Sequence, residues 1–167
     1  MNKHCKILYL MCGCPASGKS WYADILADKM GISHLISRDE IRFSLLKDNE
    51  DYFSHEDEVF NIFTTQIINA LNIEGMCIAD ATHITRASRN KILGVLTKEF
   101  SNLEINIIWM DTSLDTCLKR NAKRTGLAKV PNGIIRRMYV CFEPPTDKEK
   151  YKYNFIYQIK EGDKIFS

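Results

Sequence analysis

The chain has 167 residues, 45% of them hydrophobic, and a formal net charge of +2. That length fits one domain over 1–167 with a full core, and near-neutrality gives no general pull on nucleic acid. No apolar run is long enough to span a bilayer, the opening residues Met1 to Lys6 lack a signal-peptide pattern, and six irregularly spaced cysteines fit reduced thiols in a cytoplasm.

A buried strand is predicted over 6–12, running into Gly13-Cys14-Pro15-Ala16-Ser17-Gly18-Lys19-Ser20. This satisfies G-x-x-x-x-G-K-[ST], the phosphate-binding P-loop, and a helix-like run from Trp21 to Met30 completes strand, loop and helix. Successive backbone N–H groups of such a loop curl around phosphate oxygens, and the helix points its positive end at them. Gly13 and Gly18 are expected where a Cβ would obstruct the loop. Lys19 is expected at the β- and γ-phosphates, with the Ser20 hydroxyl on Mg²⁺. Ala16 stands where many such loops carry glycine, so negative φ is expected there. Cys12-x-Cys14 is neither a metal nor a redox spacing, and Cys14 reads as loop filler.

A second strand over 33–36 leads into Ser37-Arg38-Asp39-Glu40-Ile41-Arg42. Ser37 and Glu40 read as a capping box, leaving Asp39 without a local task. Two readings stand: Asp39 as general base with Arg42 gripping a substrate phosphate, or a plain i,i+3 ion pair. Ser54-x-x-Asp57 is expected to open a scaffold helix whose apolar face carries Val59, Phe63, Ile67 and Leu71. From Asp39 to Glu58 there are eight acids against Arg42 and Lys47.

A third strand over 75–79 ends at Asp80, which reads either as a magnesium-side carboxylate or as a turn cap. His83 has no partner at metal-ligand spacing. A fourth strand over 104–110 precedes a helix expected to be capped by Thr112-x-x-Asp115, with Leu114, Cys117, Leu118 and Ala122 as its core stripe. Seven Lys or Arg residues and no acid lie between Lys119 and Arg137. Arg120 and Arg124 read either as a solvated basic face or as a lid over about 113–131 that closes on the transferred phosphoryl. Residues 125–129 are expected to be a mobile loop. Pro131 suits the first turn of a helix to about Phe142, Thr146-x-x-Glu149 reads as a further cap, and a last strand is expected over 153–159. Alternating strands and helices predict an α/β, three-layer P-loop NTPase with a five-stranded parallel sheet covered on both faces.

Taken together, residues 13–20, Ser37 with Arg-Asp-Glu-x-Arg at 38–42, Asp80 with Thr82, the run Lys119 to Arg124, Val130-Pro131 and Arg136 to Tyr139 resemble the kinase domain of phage polynucleotide 5′-hydroxyl kinase and its bacterial relatives. The resemblance covers nearly the whole chain in order; its more specific parts are 37–42 and 119–139. It implies that Lys19 and Ser20 hold ATP and Mg²⁺, and that Asp39 activates a 5′-hydroxyl of RNA or DNA. It further implies that Arg42 holds the 3′-phosphate of the terminal nucleotide, that Arg124 bridges to the γ-phosphate, and that Arg120 helps hold ATP. Asp80 and Thr82 fall on the substrate side of the same pattern. The phage enzyme's phosphatase motif Asp-x-Asp-Gly-Thr has no match here, so no 3′-phosphatase activity is expected. Small-molecule kinases, antibiotic phosphotransferases and toxin-like kinases of nucleotide-sugars share the loop, acid and lid plan. A nucleotide-binding module without transfer activity is the remaining alternative.

Overall fold

A computed structural model describes residues 5–163. Five strands, β1 (Lys6–Cys12), β2 (Leu35–Ser37), β3 (Met76–Asp80), β4 (Leu103–Asp111) and β5 (Phe155–Lys160), form one sheet in the order β2-β3-β1-β4-β5. Every neighbouring pair is parallel. The central strands read as continuous apolar runs because both their faces are covered. Helix α1 (Lys19–Met30) covers one face through Tyr22, Ala23 and Leu26, packed with Met11, Ile78 and Ile108. Helices α3 (Glu56–Ile73) and α4 (Arg86–Glu99) cover the other, where Val59, Phe63, Ile67 and Leu71 are all fully buried beside Leu8, Leu10 and Ile107. The five-stranded parallel sheet with helices on both faces is the predicted fold. Helices α2 (Arg38–Leu45) and α5 (Leu114–Ala122) follow the carboxyl ends of β2 and β4, and α6 (Asn132–Val140) packs on α5.

One expected cap holds, at Ser37, and the others depart from the sequence pattern. Ser37 caps α2, its hydroxyl accepting from the Glu40 N–H at 3.3 Å. Helix α3 instead starts after His55, and the Ser54 hydroxyl turns back to the Asp51 carbonyl. Helix α5 is capped by Ser113 rather than Thr112, because Thr112 is drawn inward to the P-loop. Ala122 is exposed, and the buried residue beside it is Asn121. Thr85 and Ser88 form a reciprocal capping box at α4 that the S/T-x-x-E/Q pattern overlooks.

Thr146-x-x-Glu149 opens no helix. Glu149 is instead fully buried against Arg89 of α4, whose Nη2 donates to Oε1 at 2.5 Å and Nε to Oε2 at 3.1 Å. The Tyr153 hydroxyl donates to the same carboxylate at 2.6 Å. Arg89 also donates to the His83 and Glu143 carbonyls, so one guanidinium ties α4 to the turn after β3 and to the segment before β5. Burial pushes Glu149 towards its neutral form, but the Arg89 and Tyr153 hydrogen bonds outweigh it and hold its pKa below the usual carboxylate range. Glu149→Ala leaves Arg89 buried and uncompensated, with an expected loss of about 3–5 kcal/mol in urea unfolding at neutral pH. The carboxylate's contribution is complete above the unfolded-state value of about 4.3 and fades as pH falls further, so parent and variant should converge in acid.

Candidate active site

The P-loop leaves β1 with Gly13 at φ 156°. A Cβ there would stand 2.8 Å from Ser17 Oγ and 3.1 Å from the Met110 backbone carbonyl, so only glycine fits. Gly18 caps α1 in the left-handed region at φ 100°. Ala16 corrects the expectation of negative φ: it sits at φ 62° and is buried. Ala16 is the third residue of a turn closed by the Ser17 N–H donating to the Cys14 carbonyl at 3.2 Å, with Pro15 before it, a position where type II turns take positive φ; the small alanine side chain tolerates the left-handed conformation. That tolerance costs about 1–2 kcal/mol. Ala16→Gly is therefore expected to stabilise the fold by about 0.5–1 kcal/mol after the entropy of a more flexible unfolded chain is subtracted, seen as a raised thermal midpoint.

Neighbouring elements orient the loop. The Ser17 carbonyl accepts from Thr112 Oγ1 and from Arg120 Nη1, each at 2.9 Å. In a trans peptide the N–H opposes the carbonyl, so pulling this carbonyl outward aims the Gly18 N–H into the cradle. The Gly13 N–H donates to the Thr82 carbonyl at 2.9 Å, which locks the exit of β1 to that of β3. Beneath it, His83 is buried in positive φ and its Nδ1 bonds the Met11 carbonyl at 2.9 Å. Burial pushes the His83 pKa down to about 4, so the ring is neutral and braces the turn. Burial likewise pushes Cys14 up to about 11, which leaves an inert thiol packed on Cys117, as a filler requires. All six cysteines are unpaired with one another.

Lys19 is buried and its Nζ donates to the Cys14 carbonyl at 3.3 Å. The Ser20 hydroxyl donates to Asp80 Oδ2 at 2.6 Å, while Asp80 Oδ1 is buried with no hydrogen-bond partner. A serine oxygen and an orphaned carboxylate oxygen beside a phosphate cradle are the donor set a hard divalent cation uses. Among the described residues there is no cluster of three or more His, Cys, Asp or Glu, so a cation here draws on these few oxygens and on its other ligands.

Asp39 lies in the first turn of α2 with its side chain 60% exposed. Its Oδ1 accepts from Arg42 Nη1 and from the Tyr52 hydroxyl, the latter at 3.2 Å. The predicted i,i+3 pair thus exists, and Asp39 has a local partner after all. Arg42 is buried. Its Nε donates to Glu56 Oε1 at 2.7 Å, and its Nη1 also donates to Tyr52 at 3.0 Å. Burial acts to lower the Arg42 pKa, but the bond to Glu56 and the nearby acids outweigh it and raise it. A two-pronged grip on a phosphate requires this network to rearrange, since Nη2 is the one arm without a partner among the described residues. Arg38 Nη2 donates to the other Glu56 oxygen at 2.9 Å. Glu56 escaped the sequence reading because it is 14 residues from Arg42 and lies inside an unremarkable acidic run.

Lys19, Ser20, Asp39, Arg42, Asp80, Thr82 and Arg124 all line one cleft of about 660 Å³. A second cleft of about 450 Å³ lies on the other side of the loop, lined by Gly18, Trp21, Arg120, Ile159 and Gly162 among others, and Arg124 lines it too. The expected loop over 125–129 carries local structure. It contains a 3-10 turn over Gly126–Ala128, and just beyond it the buried Asn121 amide donates to the Val130 carbonyl at 2.7 Å and accepts from the Val130 N–H at 3.0 Å.

A family model described as an AAA domain (AAA_33) matches residues 8–145. The chain belongs to this family. Its P-loop kinase fold recurs in solved structures. A sugar kinase from Janibacter superposes with TM-score 0.64 at 14% identity, over 93% of this chain and 85% of that one. The APS kinase CysC of Mycobacterium tuberculosis, in complex with AMPPNP and APS, gives 0.61 at 20% identity over 96% and 91%. A chain of the Pnkp1/Rnl/Hen1 RNA repair complex gives 0.66 at 23% identity, over 84% of this chain and 45% of that one. At these identities the likeness is one of fold. Among the described residues no helix of this AAA-domain chain is long and apolar enough to cross a membrane.

Proposed function

We propose that this AAA-domain chain transfers the γ-phosphoryl group of ATP to a 5′-hydroxyl end of RNA or DNA. The observation that carries the reading is the cleft that Pro15 and Lys19 of the phosphate loop share with the Ser20–Asp80 pair, Asp39 and Arg124. Asp39 Oδ2, without a partner among the described residues, accepts the proton of the attacking hydroxyl. As the acceptor oxygen bonds to the γ-phosphorus, the bond from phosphorus to the β,γ-bridging oxygen breaks and ADP departs. Lys19 and the loop N–H groups hold the donor phosphates, while Arg120 and Arg124 carry positive charge from the lid side. Mg²⁺ bound by Ser20 and Asp80 would supply neutralisation of phosphate charge. Arg42, opened from its internal network, is assigned to the acceptor's 3′-phosphate and Thr82 to the acceptor wall.

The same fold serves an RNA repair complex and a fungal RNA kinase as well as the sugar and APS kinases, so it is compatible with a polynucleotide acceptor. A second reading, a small-molecule acceptor, is favoured by Glu56, which already neutralises Arg38 and Arg42. The free thiols fit a reducing compartment such as the cytoplasm. Incubation with γ-labelled ATP and a 5′-hydroxyl oligonucleotide tests the proposal. Label on the oligonucleotide supports it. An unlabelled oligonucleotide with folded, ATP-binding protein overturns it, and an acceptor screen at fixed ATP then addresses the second reading.

A further inference from the structure

Asp39 can serve as a base only if one oxygen stays free and aimed into the cleft. A first-turn carboxylate with a side chain this exposed has several rotamers open to it. What restrains it is not helix α2 alone. Tyr52, from the loop between α2 and α3, donates its hydroxyl hydrogen to Asp39 Oδ1 at 3.2 Å and accepts one from Arg42 Nη1 at 3.0 Å. Since Arg42 also donates to Oδ1, the three groups form a closed triangle on one carboxylate oxygen, leaving Oδ2 out of it.

The Tyr52 ring is held as firmly as its hydroxyl. The Arg42 guanidinium lies over its face, 4.6 Å from the centroid, which places a cation against the negative side of the ring. Phe53 and Phe43 meet it edge-on at 4.9 and 6.2 Å. Such edge-to-face pairs fix a ring's orientation as well as burying it. The loop itself is a series of turns, so this aromatic packing is what delivers the hydroxyl to Asp39. Burial first, and the Asp39 charge second, push the Tyr52 pKa up to about 12, so the hydroxyl remains a donor across the working pH range. Tyr52 also lines the cleft.

We infer that Tyr52 is a positioning residue for Asp39: its hydroxyl pins Oδ1 and thereby presents Oδ2 to the acceptor. The assignment rests on the proposed transfer reaction, in which Asp39 takes the acceptor's proton. Positioning within a fraction of an ångström governs such a step, and losing one of two pins is expected to lower kcat about tenfold.

The test is a double-mutant cycle read by phosphoryl transfer to a 5′-hydroxyl oligonucleotide. Tyr52→Phe keeps the ring, its aromatic neighbours and the guanidinium stack, and removes only the hydroxyl. It is expected to lower kcat about tenfold while KM for ATP and the thermal midpoint stay near the parent's. In the Asp39→Ala background the same change is expected to have no further effect on the residual rate, because the group it positions is gone. A purely structural role for Tyr52 would give equal losses in both backgrounds. Equal losses, or an unchanged kcat in the single variant, overturn the assignment and leave the transfer reading standing. A parent protein that labels no oligonucleotide overturns both together.

Discussion

Asp39→Ala is expected to lower the rate of phosphoryl transfer by about 10²–10⁴, the range for loss of a general base, with ATP affinity near that of the parent. The competing account is a helix-face ion pair, and the two differ sharply in size. An i,i+3 pair contributes about 0.2–0.5 kcal/mol to stability and nothing to turnover. The pair is real, since Asp39 Oδ1 accepts from Arg42, so geometry alone does not discriminate. Kinetics do. Removing Asp39 releases an Arg42 arm, which frees it for an acceptor phosphate. If Asp39 is the base, kcat collapses while KM for the acceptor holds or falls. If it merely restrains Arg42, kcat holds. Single-turnover transfer of labelled phosphate together with equilibrium ATP binding separates these outcomes, and near-parental turnover would sink the assignment.

The features legible in the sequence are those encoded by short spacing. The P-loop is one: eight consecutive residues between an apolar strand and a helix leave little choice of conformation, and Gly13 and Gly18 take the backbone angles their positions demand. The apolar stripe of α3 is another, because helical periodicity survives in any context that buries it. Asp80 was placed by the rule that chemistry collects where parallel strands end. What escaped depends on partners distant in the chain. Arg89 and Glu149 are separated by 60 residues, and a glutamate three residues after a threonine looks locally like a cap. The partners of Arg42 beyond Asp39 escaped because Glu56 and Tyr52 belong to segments whose fold against α2 no local pattern declares. The shift of the α5 cap from Thr112 to Ser113 has the same origin, since the Thr112 hydroxyl was claimed by a loop 95 residues earlier.

Arg124→Ala is expected to cost on the order of 10³ in transfer rate, as loss of a finger-type arginine does, with only a small change in ATP affinity. The reason lies in how differently Arg120 and Arg124 are held. Arg120 is committed: its Nη1 bonds the Ser17 carbonyl at 2.9 Å and helps shape the phosphate cradle. Its truncation should therefore weaken ATP binding first. Arg124 is one helical turn further on, past the end of α5, and its one bond among the described residues, to the Ala128 carbonyl, is long at 3.3 Å. It lines both clefts, the position from which a guanidinium can meet charge developing between donor and acceptor. An interaction gained only as that charge develops lowers kcat when removed and leaves ground-state binding alone. Arg124→Lys restores the charge without the planar fork, so it should recover only part of the loss. A charge-only role predicts nearly full recovery by lysine, and a solvated surface arginine predicts no loss in either variant; rapid-quench measurement of the transfer step distinguishes all three.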